Sequence, residues 1–267
     1  MHRSVKSAAR SAEGSSALRV LARGGYVASG LIHIIVGVLA IAVAWSGHGE
    51  SDQAGALTAI ASAPLGFAAL WALALLLWAL GVYHGIHGVA LRIDGRMRRW
   101  GRRVAEWGQA VLFLAMGVIA AAVALGARPD PDQSAQEASR SLLTVPAGPL
   151  LLAAIGIAIG IGGVVWVVMG FRRSFHARVT LPAGTSGHAI SALGAVGFVA
   201  KGAALLVVGA LFVIAALRAD PNSAGGLDAA IESIRELPFG PVLVTAVGAG
   251  FLAYGVFCGF RARYADL

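Results

Sequence analysis

The chain of 267 residues holds a single cysteine, Cys258, so it forms no disulfide within itself and no cysteine-based zinc set. Cys258 stands in an apolar run, where a lone thiol serves as a small buried hydrophobe. Lysine is almost as scarce: only Lys6 and Lys201 occur, and every other basic side chain of fixed charge is arginine. Charge of either sign is thin, at 13% of residues, where a soluble domain carries roughly a quarter. With 58% hydrophobic residues and a mean hydropathy of +0.78, so little charge excludes a disordered chain and an ordinary soluble enzyme. Catalytic signals are missing too. The chain has no carboxylate pair, no nucleophile–histidine–acid grouping and no Gly-x-Ser-x-Gly, and its loops are too short for a soluble catalytic domain. No enzymatic role is expected.

Apolar length is what the chain has in quantity. A helix needs about 20 apolar residues to cross the hydrocarbon of a bilayer. Six segments supply them, at 26–46, 65–89, 108–127, 150–171, 194–217 and 240–260, and none contains Asp or Glu. Backbone groups in lipid must bond internally, which makes these runs helices; the alternation of a membrane barrel strand is missing. The first run follows basic residues, and Ala42-Val43-Ala44 imitates a cleavage site. It exceeds the usual signal-peptide run of about 7–15 apolar residues, and its counterparts later in the chain cannot be cleaved signals. A retained helix is expected.

The arginines lie unevenly. Arg3, Lys6, Arg10, Arg19 and Arg23 precede the first run, and Arg92, Arg96, Arg98, Arg99, Arg102 and Arg103 separate the second from the third. Arg172, Arg173 and Arg178 separate the fourth from the fifth, and Arg261 and Arg263 follow the sixth. The alternate loops hold only Arg128, Arg140, Arg218 and Arg235. Positive residues stay in the cytoplasm, so both termini are expected there, in a multi-pass protein of the inner (plasma) membrane. The acids do the reverse, with Asp130, Asp132, Asp220, Asp228 and Glu232 among those in the outer loops. This pattern explains the net charge of +8. Arginines at helix ends fix topology and meet anionic lipid headgroups. A nucleic-acid surface would need a contiguous basic face with a reading element, and no nucleic-acid partner is expected.

The chain repeats itself three times. After a basic tail at 1–23, the repeats occupy 24–100, 101–180 and 187–264, each a helix, an outer loop and a second helix. First helices align on Gly30 and Gly37, Ala110 and Gly117, and Gly202 and Gly209. Second helices align on Gly85, Gly170 and Gly259, with Pro64, Pro149 and Pro238 each 21 residues earlier; proline suits the first turn of a helix. Two spans per repeat keep the repeats parallel, related by a pseudo-threefold axis if they close into a ring, unlike the inverted repeats of many transporters. The fold class is therefore all-α membrane protein, six transmembrane helices as three parallel helical hairpins. Gly81 and Gly85, Gly156 and Gly160, and Gly255 and Gly259 have the four-residue spacing at which small residues let helices approach in lipid. In the outer loops, Leu57-Thr58-Ala59-Ile60 and Leu227, Ile231 and Ile234 have helical spacing. A short amphipathic helix lying at the outer interface is expected in at least the third repeat.

Ionisable residues inside a span are costly and are functional candidates by default. His33 shares a stripe with Gly30 and Gly37, while His84, on a stripe with Gly81 and Gly88, lies one turn from His87. The three histidines could meet on a metal or a haem iron, or each could hydrogen-bond a neighbouring helix. No carboxylate lies within a span to orient an imidazole, so the second reading is preferred and no cofactor is expected. Lys201 matches Ser29 and Gln109 in the other repeats. On a common axis, Ser29, Gln109 and Lys201 would form a polar vestibule in which the cation draws an anionic ligand; taken alone, Lys201 snorkels to the headgroups, the weightier reading. Tyr83 and Tyr254 read as interfacial anchors.

Three stretches carry a family resemblance: Gly25-Tyr26-Val27-Ala28-Ser29-Gly30, Gly197-Phe198-Val199-Ala200-Lys201-Gly202 and Ala253-Tyr254-Gly255-Val256-Phe257. The chain resembles domain-of-unknown-function family 1206, membrane proteins of three two-helix modules, from Ala17 to Tyr264. The middle module departs most, with Glu106-Trp107-Gly108-Gln109-Ala110. The resemblance implies a fold and no activity. Two functions stand: a non-enzymatic structural, accessory or interaction protein, working with a membrane-protein partner or as a homo-oligomer, and a small-solute carrier or channel lined by Ser29, Gln109 and Lys201. Metal or haem binding through His33, His84 and His87 comes third.

Overall fold

A computed structural model describes residues 15–91, 95–179, 181–182 and 184–264. The basic residues Arg3, Lys6, Arg10 and Arg92 lie outside them. The helices are α1 (Ser16–Ser46), α2 (Gln53–Ala61), α3 (Gly66–Ala90), α4 (Arg96–Ala124), α5 (Pro131–Leu143), α6 (Gly148–Arg172), α7 (Thr185–Arg218), α8 (Leu227–Arg235) and α9 (Gly240–Tyr264). Six of them, α1, α3, α4, α6, α7 and α9, are long and apolar enough to cross a membrane, and their outward apolar surface is suited to lipid.

Three helices outrun their apolar segments. α1 starts at Ser16, inside the expected tail; α4 starts at Arg96 and α7 at Thr185. Hydropathy marks what hydrocarbon can hold, whereas a helix ends only where its backbone is interrupted. No proline lies between these starts and the apolar runs, so helix continues through Arg19 and Arg23 in α1, through the arginines of α4, and from Thr185 in α7.

Each repeat carries a short helix between its two long ones: α2, α5 and α8. Local acids start the first two. Asp52 Oδ1 accepts from Gly55 N–H at 2.8 Å, and Asp130 Oδ1 from Gln133 N–H at 2.9 Å with Pro131 in the first turn. The short amphipathic helix expected in the third repeat is present as α8. Its apolar face, Leu227, Ile231 and Ile234, packs on Ala40, Val43 and Ala44 of α1 and Val244 of α9. Burying those side chains against protein fixes α8 as a cap on the long helices.

The turn from short to long helix recurs as Pro-x-Gly: Pro64-Leu65-Gly66, Pro146-Ala147-Gly148 and Pro238-Phe239-Gly240. The middle residue has φ 65° at Leu65, 60° at Ala147 and 62° at Phe239. A Cβ on the following glycine would strike a carbonyl oxygen, 2.3 Å from Ile60 O, 2.0 Å from Leu142 O and 1.9 Å from Arg235 O. This corrects the middle landmark. Pro146, not Pro149, is the counterpart of Pro64 and Pro238; Pro149 lies inside the first turn of α6.

The described residues form two compact units. The first comprises those up to Ser29, Ala59–Arg128 and those from Cys258; the second comprises Gly30–Thr58 and Pro129–Phe257. In the second unit α6 packs antiparallel on α7. A Cβ at Gly156 would stand 2.7 Å from Gly209 O, and one at Gly163 2.8 Å from Gly202 O. There α9 meets α1 in the same way, with 2.7 Å from Gly37 to Gly248 O and 2.6 Å from Gly255 to Gly30 O. In the first unit α3 packs on α4, where Cβ atoms at Gly117 and Gly81 would stand 2.4 Å from the Trp78 ring and 2.8 Å from Leu114.

Every one of these seams joins the second helix of one repeat to the first helix of another. Counted from the turn glycine, Ala74, Gly156 and Gly248 are equivalent, and so are Gly81, Gly163 and Gly255. The small residues that matter are seven apart rather than four, because antiparallel helices at a shallow angle meet again every two turns. Gly259, expected in a contact, has open space where its Cβ would be.

Candidate functional site

In the first unit α1, α3 and α4 bring three polar side chains together toward the arginine-rich ends of the spans. His84 Nδ1 lies 2.7 Å from Glu106 Oε2, and His84 Nε2 lies 3.2 Å from the Tyr26 hydroxyl. All three are buried, Tyr26, His84 and Glu106 each at 3% exposure. Phe113 stacks on the imidazole at 5.5 Å, and the Arg261 guanidinium sits 4.4 Å over the Tyr26 ring. A neutral imidazole fits this frame by donating from Nδ1 to the carboxylate and accepting the tyrosine hydroxyl at Nε2; an imidazolium donates at both nitrogens. The expectation that no carboxylate orients a histidine is therefore corrected. Glu106 lies on α4 just before the apolar run, and its side chain turns inward. His87 stacks on Tyr83 at 5.9 Å. Tyr83 is 4% exposed, a packed residue and not an interfacial anchor.

In the second unit Lys201 is aimed at protein. Its Nζ donates to His33 Nε2 at 3.0 Å and stands 4.6 Å from the ring centres of both Trp166 and Tyr254. An ammonium held over two aromatic faces is stabilised by their quadrupoles, so Lys201 turns inward instead of snorkelling. His33 is buried and lies 4.8 Å from Tyr254, ring to ring. Tyr254, expected as an anchor, is 4% exposed. Of the expected vestibule residues, Ser29 is buried and Gln109 half-buried in the first unit, and Lys201 belongs to the second. Of the expected metal or haem ligands, His84 and His87 belong to the first unit and His33 to the second. Among the described residues no group of three or more His, Cys, Asp or Glu is placed to hold a metal.

The short helices of the second unit carry an acid lacing. Asp132 at the start of α5 accepts from Gly226 N–H, a short contact, and from Ala229 N–H at 2.9 Å, at the start of α8. Asp228 in α8 accepts from Ser51 N–H at 2.6 Å and Ser51 Oγ–H at 2.8 Å, just before α2. Burial pushes the Asp52 carboxyl up to about 7, helped by the charges of Asp228 and Asp132 and opposed by the N–H groups of Gly55 and Ala54. Burial likewise raises Asp228, against the bonds from Ser51. An open apolar groove of about 640 Å³ runs along the same unit, lined by Val196, Val199, Leu243 and Val247 with Arg173 among its walls.

Residues 24–90, 107–173 and 196–265 each match the family model described as Domain of Unknown Function (DUF1206). The chain belongs to the DUF1206 family. Each DUF1206 match covers two of the six long helices and the short helix between them. No curated protein and no solved structure matches the chain.

The repeat register also shows what sequence reasoning missed. Three residues before Ser29, Gln109 and Lys201 stand Tyr26, Glu106 and Phe198. An acid in a column of buried aromatics was the signal for Glu106. Its partner column, counted from the turn glycines, holds His84, Trp166 and Cys258. Where α3 and α4 pair His84 with Glu106, α6 and α7 stack Trp166 on Phe198 at 5.0 Å.

Proposed function

We propose that this DUF1206 protein is a non-enzymatic accessory or structural protein that acts by assembly, as a homo-oligomer or beside another membrane protein. We place it in the inner (plasma) membrane with both termini and the arginine-rich helix ends in the cytoplasm, the arginines meeting anionic headgroups. One observation carries the reading: the ionisable side chains in the spans are spent on partners within their own unit, Lys201 on His33 and His84 on Glu106 and Tyr26. What faces outward is apolar. On α6, Leu150, Ile157, Ile161, Val165 and Phe171 are all exposed, a surface for lipid or for another apolar helix.

The test is crosslinking in intact cells, then purification of the full chain in nanodiscs and mass measurement of the complex. A homo-oligomer or a stoichiometric membrane partner is expected; a monomer with no stoichiometric partner overturns the proposal. The second reading, a small-solute carrier or channel with its site at Ser29, Gln109 and Lys201, is favoured by the burial of Ser29 within a span. Solute flux into proteoliposomes that disappears in Lys201→Met would establish it in place of the first.

A further inference from the structure

We propose that Tyr26, His84 and Glu106 form an intramembrane proton-binding site, filled from the arginine-rich side of the spans. The fold does not demand polarity at this place. The equivalent pair between α6 and α7 is Trp166 stacked on Phe198, at 5.0 Å, so the same helix register is satisfied by two apolar rings. Taking a carboxylate and an imidazole out of water is costly, and packing gives no reason to bear that cost here.

The geometry supplies a two-state chain. With a neutral imidazole, Nδ1–H donates to Glu106 across 2.7 Å and Nε2 accepts the Tyr26 O–H across 3.2 Å. The ionised carboxylate leaves this state with one negative charge. A proton arriving from cytosolic water bonds to Nε2. The imidazolium then donates at both nitrogens, the charge of the three groups becomes zero, and the Tyr26 hydroxyl changes from donor to acceptor. Its hydrogen must turn to a new acceptor, so the event is transmitted from α3 and α4 to α1. Groups that face the site include Tyr26 on α1, Tyr83 on α3 with His87 stacked behind it, Glu106 on α4 and Arg261 on α9, with Phe113 closing one face of the imidazole. Arg261, over the Tyr26 ring, is a fixed cation of the set, and it offsets the charge of the unprotonated state.

The entry side follows from position. His84 stands six residues from the end of α3, about 9 Å along the axis, and Glu106 lies one turn beyond Arg103 on α4. Water therefore has to penetrate only the arginine-rich end.

Infrared difference spectra of the full chain in nanodiscs between pH 5 and pH 9 test this. Beside the carboxyl band of Asp52, which ionises in the same range, linked bands from one tyrosine ring and one carboxylate are expected; both vanish in His84→Phe, and only the tyrosine band vanishes in Tyr26→Phe. The double variant His84→Trp with Glu106→Phe rebuilds the apolar sister pair, and it is expected to fold and to lose both linked bands while keeping that of Asp52. Linked bands that persist in the double variant, their absence from the natural chain, or a double variant that cannot fold would each overturn the proposal. The last outcome would mean that the fold itself requires the polar pair.

Discussion

The Lys201 ammonium donates to His33 Nε2 across 3.0 Å, joining α7 to α1 inside the second unit. A cation can be an acceptor's partner only if that nitrogen carries a lone pair, so His33 is deprotonated at Nε2. Trp166 and Tyr254 flank the ammonium, both at 4.6 Å, and supply the attraction that replaces water.

Replacing Lys201 by methionine keeps most of the stem and takes away the donor from a buried imidazole nitrogen. The expected loss is about 1–3 kcal/mol of stability, read as a fall in thermal midpoint in detergent. In the background of His33→Phe the same substitution should cost much less, because no buried acceptor is left behind. A double-mutant cycle with no coupling between the two positions would show that the contact does not tie the helices.

The seam between α6 and α7 makes a sharper comparison, between neighbours in sequence. A Cβ at Gly163 would stand 2.8 Å from Gly202 O, backbone against backbone, whereas a Cβ at Gly162 would meet nothing within 4 Å. Gly163→Ala must push the helices apart, and overpacking of this kind costs about 1–3 kcal/mol. Gly162→Ala gains helix propensity of up to about 1 kcal/mol with nothing to displace. Thermal midpoints should therefore move in opposite directions for the two variants. Equal effects would mean that the seam does not hold the pair together.

Much of this seam could be read from the sequence, and one step could not. Gly30 and Gly37, Ala110 and Gly117, and Gly202 and Gly209 share a common interval and all lie in seams. Pro149 as the middle landmark lies three residues out of register, because proline alone marks a helix start only loosely. The Pro-x-Gly turn with its left-handed middle residue is the true landmark; its proline and glycine are legible in the sequence, but nothing shared by Leu65, Ala147 and Phe239 foretells their φ. The buried site was hidden for a related reason. Glu106 lies outside the apolar run that hydropathy detects, yet inside the helix that packs against His84. Six spans are a property of composition; which polar side chain turns inward depends on how neighbouring helices pair.

Asp52 gives the second unit a pH dependence with a definite sign. Its carboxyl is raised from 3.8 to about 7 in the folded protein, so between those values the folded state binds more protons than the unfolded one. Stability is then fully present below the lower value and falls as pH rises through the window toward 7, where the buried group ionises. Asp228 is shifted in the same direction. Asp52→Asn keeps an oxygen to accept from Gly55 N–H and removes the charge. The variant should show a flatter stability profile between pH 4 and pH 8 and the higher midpoint at pH 8. A natural chain whose midpoint climbs over that range would contradict the burial of this carboxyl.

The proposed orientation can be read by single-cysteine labelling, since the only native thiol, Cys258, is 1% exposed and can be replaced by alanine. In that background Ser134→Cys places a thiol in α5, where Ser134 is exposed between the third and fourth spans, and Arg99→Cys places one on the arginine-rich end of α4. A membrane-impermeant maleimide added to intact cells should label the thiol at 134 and spare the one at 99 until the membrane is opened. The asymmetry of arginine between alternate loops is what demands this result. Labelling at 99 from outside would invert every span, and the acid lacing of Asp132, Asp228 and Asp52 would then face the cytosol, where its ionisation would follow internal rather than external pH.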